Sequence, residues 1–466
     1  MSGFIERTDT LAVRRQKRET ADSAVRPTAT LAVTSIATAL TLMAYTAPSV
    51  TLVDTATALH TSPSAQAWLI NGTPLGLAAA LLVAGSLADD YGRRRIFITG
   101  TLALGLTTLL GAFTTATWQF TLARLAQGMA SAALLASSLG LLVHAFPAPR
   151  DRLRATGIWG ACVSGGIAVG PALSGALPDW RQVYGLLGVA TLLVGAIGFR
   201  MLTESRSPRG GRPDLFGAAT FGAAQVALVA ALTLGRDGWL RLPVGLLLLA
   251  TAALLALFAA VERRTATPMI DLSLLRKRRF LASLAAGLFT GLGVISLFSF
   301  LPTMLQRTLG LSPMLTAWLI LLWSGISFAV ALQTRRLADR VTTRAQLSLG
   351  FALHAVGVLA MLGAIDAGSW HRLLPGLIVA GVGSGLLNAA LPLLAVESVP
   401  TARVAMGSGA QQTLRYVGSC AGVALTIAIV AGTAGGPARG ADVAMVVSAG
   451  LAVVGAVGVG VLRERS

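Results

Sequence analysis

Acidic side chains are scarce: 19 of the 466 residues are Asp or Glu, and charged residues of both signs make up only 12%. A soluble chain of this size keeps roughly a quarter of its residues charged, because its surface faces water. With 54% of residues hydrophobic and a mean hydropathy of +0.73, the apolar excess is too large for a soluble core. Lipid is therefore the expected solvent for much of the surface. Cysteine is nearly absent. Cys162 and Cys420 both lie in apolar runs and have no spaced partner, which excludes a disulfide framework or a thiolate metal site and leaves two small buried thiols. Lysine is just as rare, with Lys17 and Lys277 the only two among 37 basic residues. The sequence also lacks metal-ligand spacing, a nucleophile elbow and a phosphate-binding glycine loop. An enzyme, a resident metal or cofactor and an ATP-driven machine are therefore not expected.

The formal charge of +18 invites a nucleic-acid partner, but its distribution rejects one. The basic residues form short clusters between long apolar runs and do not line a soluble face. The 52 glycines fit the same picture, since small residues let membrane helices approach closely.

A hydrocarbon core takes about 20 apolar residues in a helix. That template predicts fourteen spans, near 28–53, 65–88, 96–115, 117–144, 154–177, 182–202, 215–235, 241–261, 280–302, 313–333, 345–364, 373–396, 404–432 and 441–462. The run from Thr28 has no small-residue cleavage site and reads as a retained span. Placing the N-terminal tail inside puts 29 basic residues in cytoplasmic segments and six in external loops, so both termini are expected in the cytoplasm of a bacterial cell, across its inner membrane.

An internal repeat orders these spans. The loop after the second one carries Gly85, Leu87, Asp89, Gly92, Arg93, Arg94 and Arg95, and a weaker copy carries Leu337, Asp339, Arg340 and Arg344. Each copy sits between the second and third spans of a six-span block. The expected organisation is a basic tail (1–27), a six-helix bundle (28–203), a linker with two extra transmembrane helices (204–279) and a second six-helix bundle (280–466).

These motifs resemble those of the major facilitator superfamily, and more narrowly its fourteen-span drug:proton antiporters. The loop from Gly85 to Arg95 is similar to the superfamily's loop signature, and Arg124, Gln127 and Gly128 match its R-x-x-Q-G element. Gly157, Gly166, Gly170, Pro171 and Gly175 fall at the spacing of the antiporter signature, although Ser174 replaces one of its glycines. Pro268 to Asp271, Pro302 with Gln306, and Leu374 to Gly376 look like landmarks of the fourteen-span branch. The resemblance implies an all-α integral membrane protein with two six-helix bundles plus two helices. It also implies efflux of drugs or antibiotics driven by a proton gradient.

The resemblance gives the candidate residues roles. Gly85, Asp89, Gly92, Arg93, Arg94 and Asp339 would form a latch between bundles, built on charge-assisted bonds; topology anchoring is the other reading of the arginines. Arg124, with Gln127, would serve proton coupling; the competing reading is an arginine reaching out to the external interface. The glycines of the fifth span would seal the cavity against leak, although ordinary close packing reads the same way. On residue pattern alone, Gln411, Gln412, Arg415 and Tyr416 make a polar stripe expected to face a water-filled cavity. Asn388, Asn71, Thr73 and Gln225 are weaker cavity candidates.

No carboxylate falls at an expected midplane; Asp54 lies at the outer end of the first span and Glu397 at the inner end of the twelfth. A buried carboxylate attracts cations and takes up protons. Its absence favours a neutral or anionic small molecule as cargo, with Arg124 and Arg415 as counter-charges and Asp54 or Asp89 as groups that could titrate. The expected function is efflux of a small organic compound, by rocking of the two bundles. An importer or facilitator on the same scaffold, or a transport-dead sensor, are the alternatives.

Overall fold

The computed structural model describes residues 26–62, 65–205, 215–235, 241–265, 272–334, 341–399 and 404–461, and among them every regular element is helical. The first apolar run is interrupted where Pro48 lacks an amide hydrogen, giving α1 (Pro27–Thr46) and α2 (Pro48–Ala58). Then come α3 (Gln66–Tyr91), α4 (Arg93–Ala112), α5 (Thr117–Ala145), α6 (Pro149–Ala176) and α7 (Trp180–Met201). The inserted pair is α8 (Leu215–Gly235) and α9 (Leu242–Arg264). The ninth run is α10 (Arg278–Phe289) and α11 (Ser296–Leu309), joined by one π-helical turn at Thr290–Ile295. The rest are α12 (Pro313–Gln333), α13 (Thr343–Leu359), α14 (Leu373–Glu397), α15 (Val404–Gly432) and α16 (Pro437–Val461).

Twelve helical segments among the described residues are long and apolar enough to cross a membrane, against the fourteen expected from sequence. The two not among them are α8, a 21-residue helix described as apolar over Ala219–Leu228, and α13, which has 17 residues. The run expected to continue to residue 364 leaves the helix after Leu359, and Gly363 and Gly368 turn the backbone at φ +70° and +66°.

The helices pack in two groups. In the first, α5 lies against α3 and α4, α4 against α7, and α1 against α6. In the second, α14 lies against α12 and α13, α13 against α16, and α10 against α15. The groups meet along two seams, α3 with α15 and α6 with α12. Helix α8 packs on α9 and also on both α3 and α15, so the inserted pair covers the first seam. Leu228 of α8 rests on a cluster that contains Leu77 and Leu81 of α3 and Tyr416 and Val417 of α15.

Small residues set close helix crossings. A Cβ on Gly128 of α5 would stand 2.8 Å from the Gly76 Cα of α3, so the glycine of the R-x-x-Q-G element lets two backbones touch.

Candidate functional site

Arg124 is completely buried in α5. Its surroundings follow from Pro48: with no amide hydrogen there, the Ala44 carbonyl four residues earlier has no helical donor. Arg124 Nη1 donates to that oxygen at 2.7 Å and to Gln127 Oε1 at 2.7 Å, and Nη2 donates to the Tyr45 carbonyl at 3.2 Å. The guanidinium also lies 5.9 Å from the Tyr184 ring centroid. The structure thus places Arg124 inward, against the reading in which it reaches the interface. It joins α5 to the break between α1 and α2, and its hydrogen-bond acceptors are all neutral. Thr73 sits beside this group, donating to the Arg124 carbonyl at 3.1 Å.

Arg415 is half-buried in α15, and its Nη2 donates to Asn388 Oδ1 of α14 at 2.9 Å. Asn388 Nδ2 in turn donates to Ser327 Oγ of α12 at 3.4 Å. One turn away on the same two helices, Trp323 Nε1 donates to Ser384 Oγ at 3.2 Å, and the indole stacks on Phe298 at 4.0 Å between centroids. A partly accessible guanidinium at this depth does not face lipid, because a charge in hydrocarbon is too costly, so it faces the space between the two helix groups. Tyr416, beside it, packs edge-on against Tyr45 of the first group at 6.1 Å between centroids.

The expected polar stripe divides here. Gln411 is buried and turned aside, donating to the Leu391 carbonyl at 2.6 Å and to Ser283 Oγ at 3.3 Å. Gln412 is half-buried on the neighbouring side of α15. Gln411 and Arg415, one turn apart, both bond to α14, while Tyr416 meets α1 of the other group. Asn71 bridges the seam itself: its Nδ2 donates to the Cys420 carbonyl at 3.1 Å. Gln225 is buried in α8, and Asp54 is exposed on α2, apart from this polar centre. Among the described residues, neither Arg124 nor Arg415 has a carboxylate as its hydrogen-bond partner.

The fifth-span glycines serve two contacts. Gly166 and Gly170 admit α1, a Cβ on Gly170 colliding with the Thr46 hydroxyl. Gly175 admits α12 across the second seam, where a Cβ would stand 2.9 Å from the Pro313 carbonyl. Pro171 is buried between these contacts, and Gly157 is half-buried near the other end of α6.

The two helix groups close at the end of the molecule that holds Gly175. There Gln306 Nε2 donates to the Val50 carbonyl at 3.0 Å and Arg307 Nη2 to Gln66 Oε1 at 2.8 Å. Toward the opposite, arginine-rich end, no neighbouring helix comes within 4 Å of the side-chain position of Gly160 on α6 or Gly325 on α12.

At that arginine-rich end the loop signature is organised by Glu204, which sequence reasoning missed. Gly92 takes φ +116° between α3 and α4, and a Cβ there would stand 2.7 Å from the Glu204 carboxylate. Glu204 Oε1 accepts from the Arg94 amide at 3.0 Å, which caps the first turn of α4, and Oε2 lies 3.8 Å from Arg95 Nε. Arg93 Nη1 donates to the Gly140 carbonyl and Arg94 Nη2 to the Phe199 carbonyl. Among the described residues, these contacts of the arginines lie within the first helix group. Gly85 faces Ala136 of α5; Asp89 lies in the last turn of α3, and Asp339 lies outside the described residues. The one signal for Glu204 was its position just beyond α7, which a sequence cannot place beside Gly92.

The sequence profile of the Major Facilitator Superfamily matches residues 34–423. The chain is 32% identical over 379 residues to the multidrug resistance protein Stp of Mycobacterium tuberculosis, covering 78% of this chain and 68% of that protein. It is 33% identical over 377 residues to the puromycin resistance protein pur8 of Streptomyces alboniger, covering 79% and 74%. Its fold is similar to that of a bacterial homolog of the human lysosomal transporter Spinster, with a TM-score of 0.65 at 14% identity over 94% of this chain and 96% of that one. The match over most of the chain, the helical fold and the related efflux proteins agree: this chain belongs to the major facilitator superfamily and is a membrane transporter.

Proposed function

We propose that this transporter is a proton-coupled exporter of small organic molecules, neutral or anionic, working by alternating access across a bacterial inner membrane. The observation that carries the cargo class is the pair Arg124 and Arg415, two guanidinium groups deep in the fold whose hydrogen-bond partners are neutral oxygens. Such a site favours a negative charge and disfavours a cation. The names of the related multidrug and puromycin resistance proteins support export. In this reading α8 and α13 also cross the membrane, giving fourteen spans. The arginine-rich face is cytoplasmic, following the excess of basic residues. The closed contacts at Gln306 and Arg307, with open space at Gly160 and Gly325, then correspond to an inward-facing state. Asp89 and the arginines beside it latch the other state, and proton uptake is coupled through Arg124.

The test is proton movement in inside-out vesicles containing the full chain, while a panel of neutral, anionic and cationic compounds is added. Release triggered by neutral or anionic compounds, and lost in Arg124→Ala, supports the reading. Release by cations alone would overturn the cargo class, and no release by any compound, with insertion verified, would overturn antiport.

A further inference from the structure

A groove of about 530 Å³ lies at the arginine-rich face, far from Arg124 and away from both seams. Four helix ends form it: the starts of α10 and α13 and the finishes of α14 and α16. Its volume falls within the roughly 300–1,000 Å³ of small-ligand sites. The polar lining includes Arg279, Arg344, Thr343, Ser348 and Glu397. Arg344 Nη2 is buried without a hydrogen-bond partner, so one guanidinium corner is desolvated and unused. The N-termini of α10 and α13 and the C-termini of α14 and α16 carry opposite partial charges that offset one another, so the side chains set the sign of the groove. Glu397 offsets one charge and is tied down by Thr343 Oγ1, which donates to it at 3.0 Å. With two arginines and one carboxylate, the lining carries a formal charge of one positive unit.

The other wall is apolar. Val459 and Gly460 close it, and Gly460 leads onto a face of α16 on which Val453, Val454, Val457 and Val461 are each at least half exposed. A charged recess opening directly onto a valine stripe suits a ligand with an anionic head and hydrocarbon tails. We propose that this groove binds the headgroup of an anionic phospholipid, its phosphate on Arg344 and Arg279 and its acyl chains along α16. Basic recesses between membrane helices at the lipid–water boundary commonly do this. The assignment uses only the groove's chemistry, and it stands whether or not the proposed cargo and coupling are correct.

The experiment is retention of phosphatidylglycerol and phosphatidylcholine by the purified full-length protein, read as lipid adducts by native mass spectrometry. Wild type retains phosphatidylglycerol over phosphatidylcholine. Arg344→Gln lowers that retention by the roughly fivefold that one surface cation contributes toward an anionic lipid, and Arg279→Gln lowers it further. Glu397→Gln raises it, a gain that misfolding cannot produce. Equal retention of the two lipids, or unchanged retention in both arginine variants, overturns the proposal. Displacement of the adduct by inorganic phosphate also overturns it, since the groove would then be a site for a free anion.

Discussion

Arg124→Lys keeps the buried charge and removes the fork. The guanidinium reaches three oxygens on two helices: the Ala44 and Tyr45 carbonyls and Gln127 Oε1. A lysine ammonium is a point charge on a flexible stem and cannot span both carbonyls and the amide. At least one charge-assisted bond is lost, each worth about 1.5–3 kcal/mol. Because every 1.4 kcal/mol is about a factor of ten, a conformer equilibrium that depends on the joint between α5 and the α1–α2 break shifts by roughly tenfold to a hundredfold. We expect compound-triggered proton release in inside-out vesicles to fall by that order, with a lower thermal unfolding midpoint. Pro48→Ala separates the two effects. It restores an amide hydrogen able to serve Ala44, so in the Arg124→Lys background it should recover unfolding temperature but not transport. A double-mutant cycle measures this coupling directly. Arg124→Lys with wild-type transport, or strictly additive effects of the two substitutions on the unfolding midpoint, would refute the reasoning.

Gly175→Leu should wedge open the closed end of the α6–α12 seam, because even a Cβ stands 2.9 Å from the Pro313 carbonyl; cysteine labelling from that side should then reach the polar centre faster than in wild type. Arg415→Gln should raise the KM for anionic cargo by about tenfold, the loss of one hydrogen bond to a charged group, and leave neutral cargo nearly unchanged. Glu204→Ala should lower the thermal unfolding midpoint by the equivalent of about 0.5–2 kcal/mol, as for other lost helix caps, whereas Glu204→Gln keeps an acceptor and should cost less.

Helix placement was largely legible because it depends on run length and hydropathy, both local: 215–235, 313–333 and 404–432 coincide with α8, α12 and α15. The overestimate at 345–364 arose because Gly363 and Gly368 turn an apolar segment that composition alone continues as helix. Arg124 was legible as an unusual charge, but its partners were not. Two of them are backbone carbonyls, which carry no sequence signal except through Pro48, and they lie 80 and 79 residues away. Glu204 was invisible for a related reason, since it caps a helix 110 residues distant in the chain. The stripe from Gln411 to Tyr416 was legible as a polar face, but periodicity gives a direction around a helix and not which neighbours surround it. Buried on several sides, α15 sends Gln411 to α10 and α14 and Tyr416 to α1.

The placement of α8 makes the two seams mechanically unequal. It packs on helices from both groups along one edge, while the other seam is bridged by the shorter α2, which touches α6, α11 and α12. Any rotation that parted α3 from α15 would have to strip Leu228 from one of its supports and expose apolar surface that is now paired. Parting α6 from α12 would break the close contact at Gly175 but leave the α8 support intact. Under the proposed alternating access, the inserted pair would act as the spine of a book. The two covers would swing about a bound edge, and cargo would pass along the fore-edge, where bulky substitutions on α6 and α12 would be felt first.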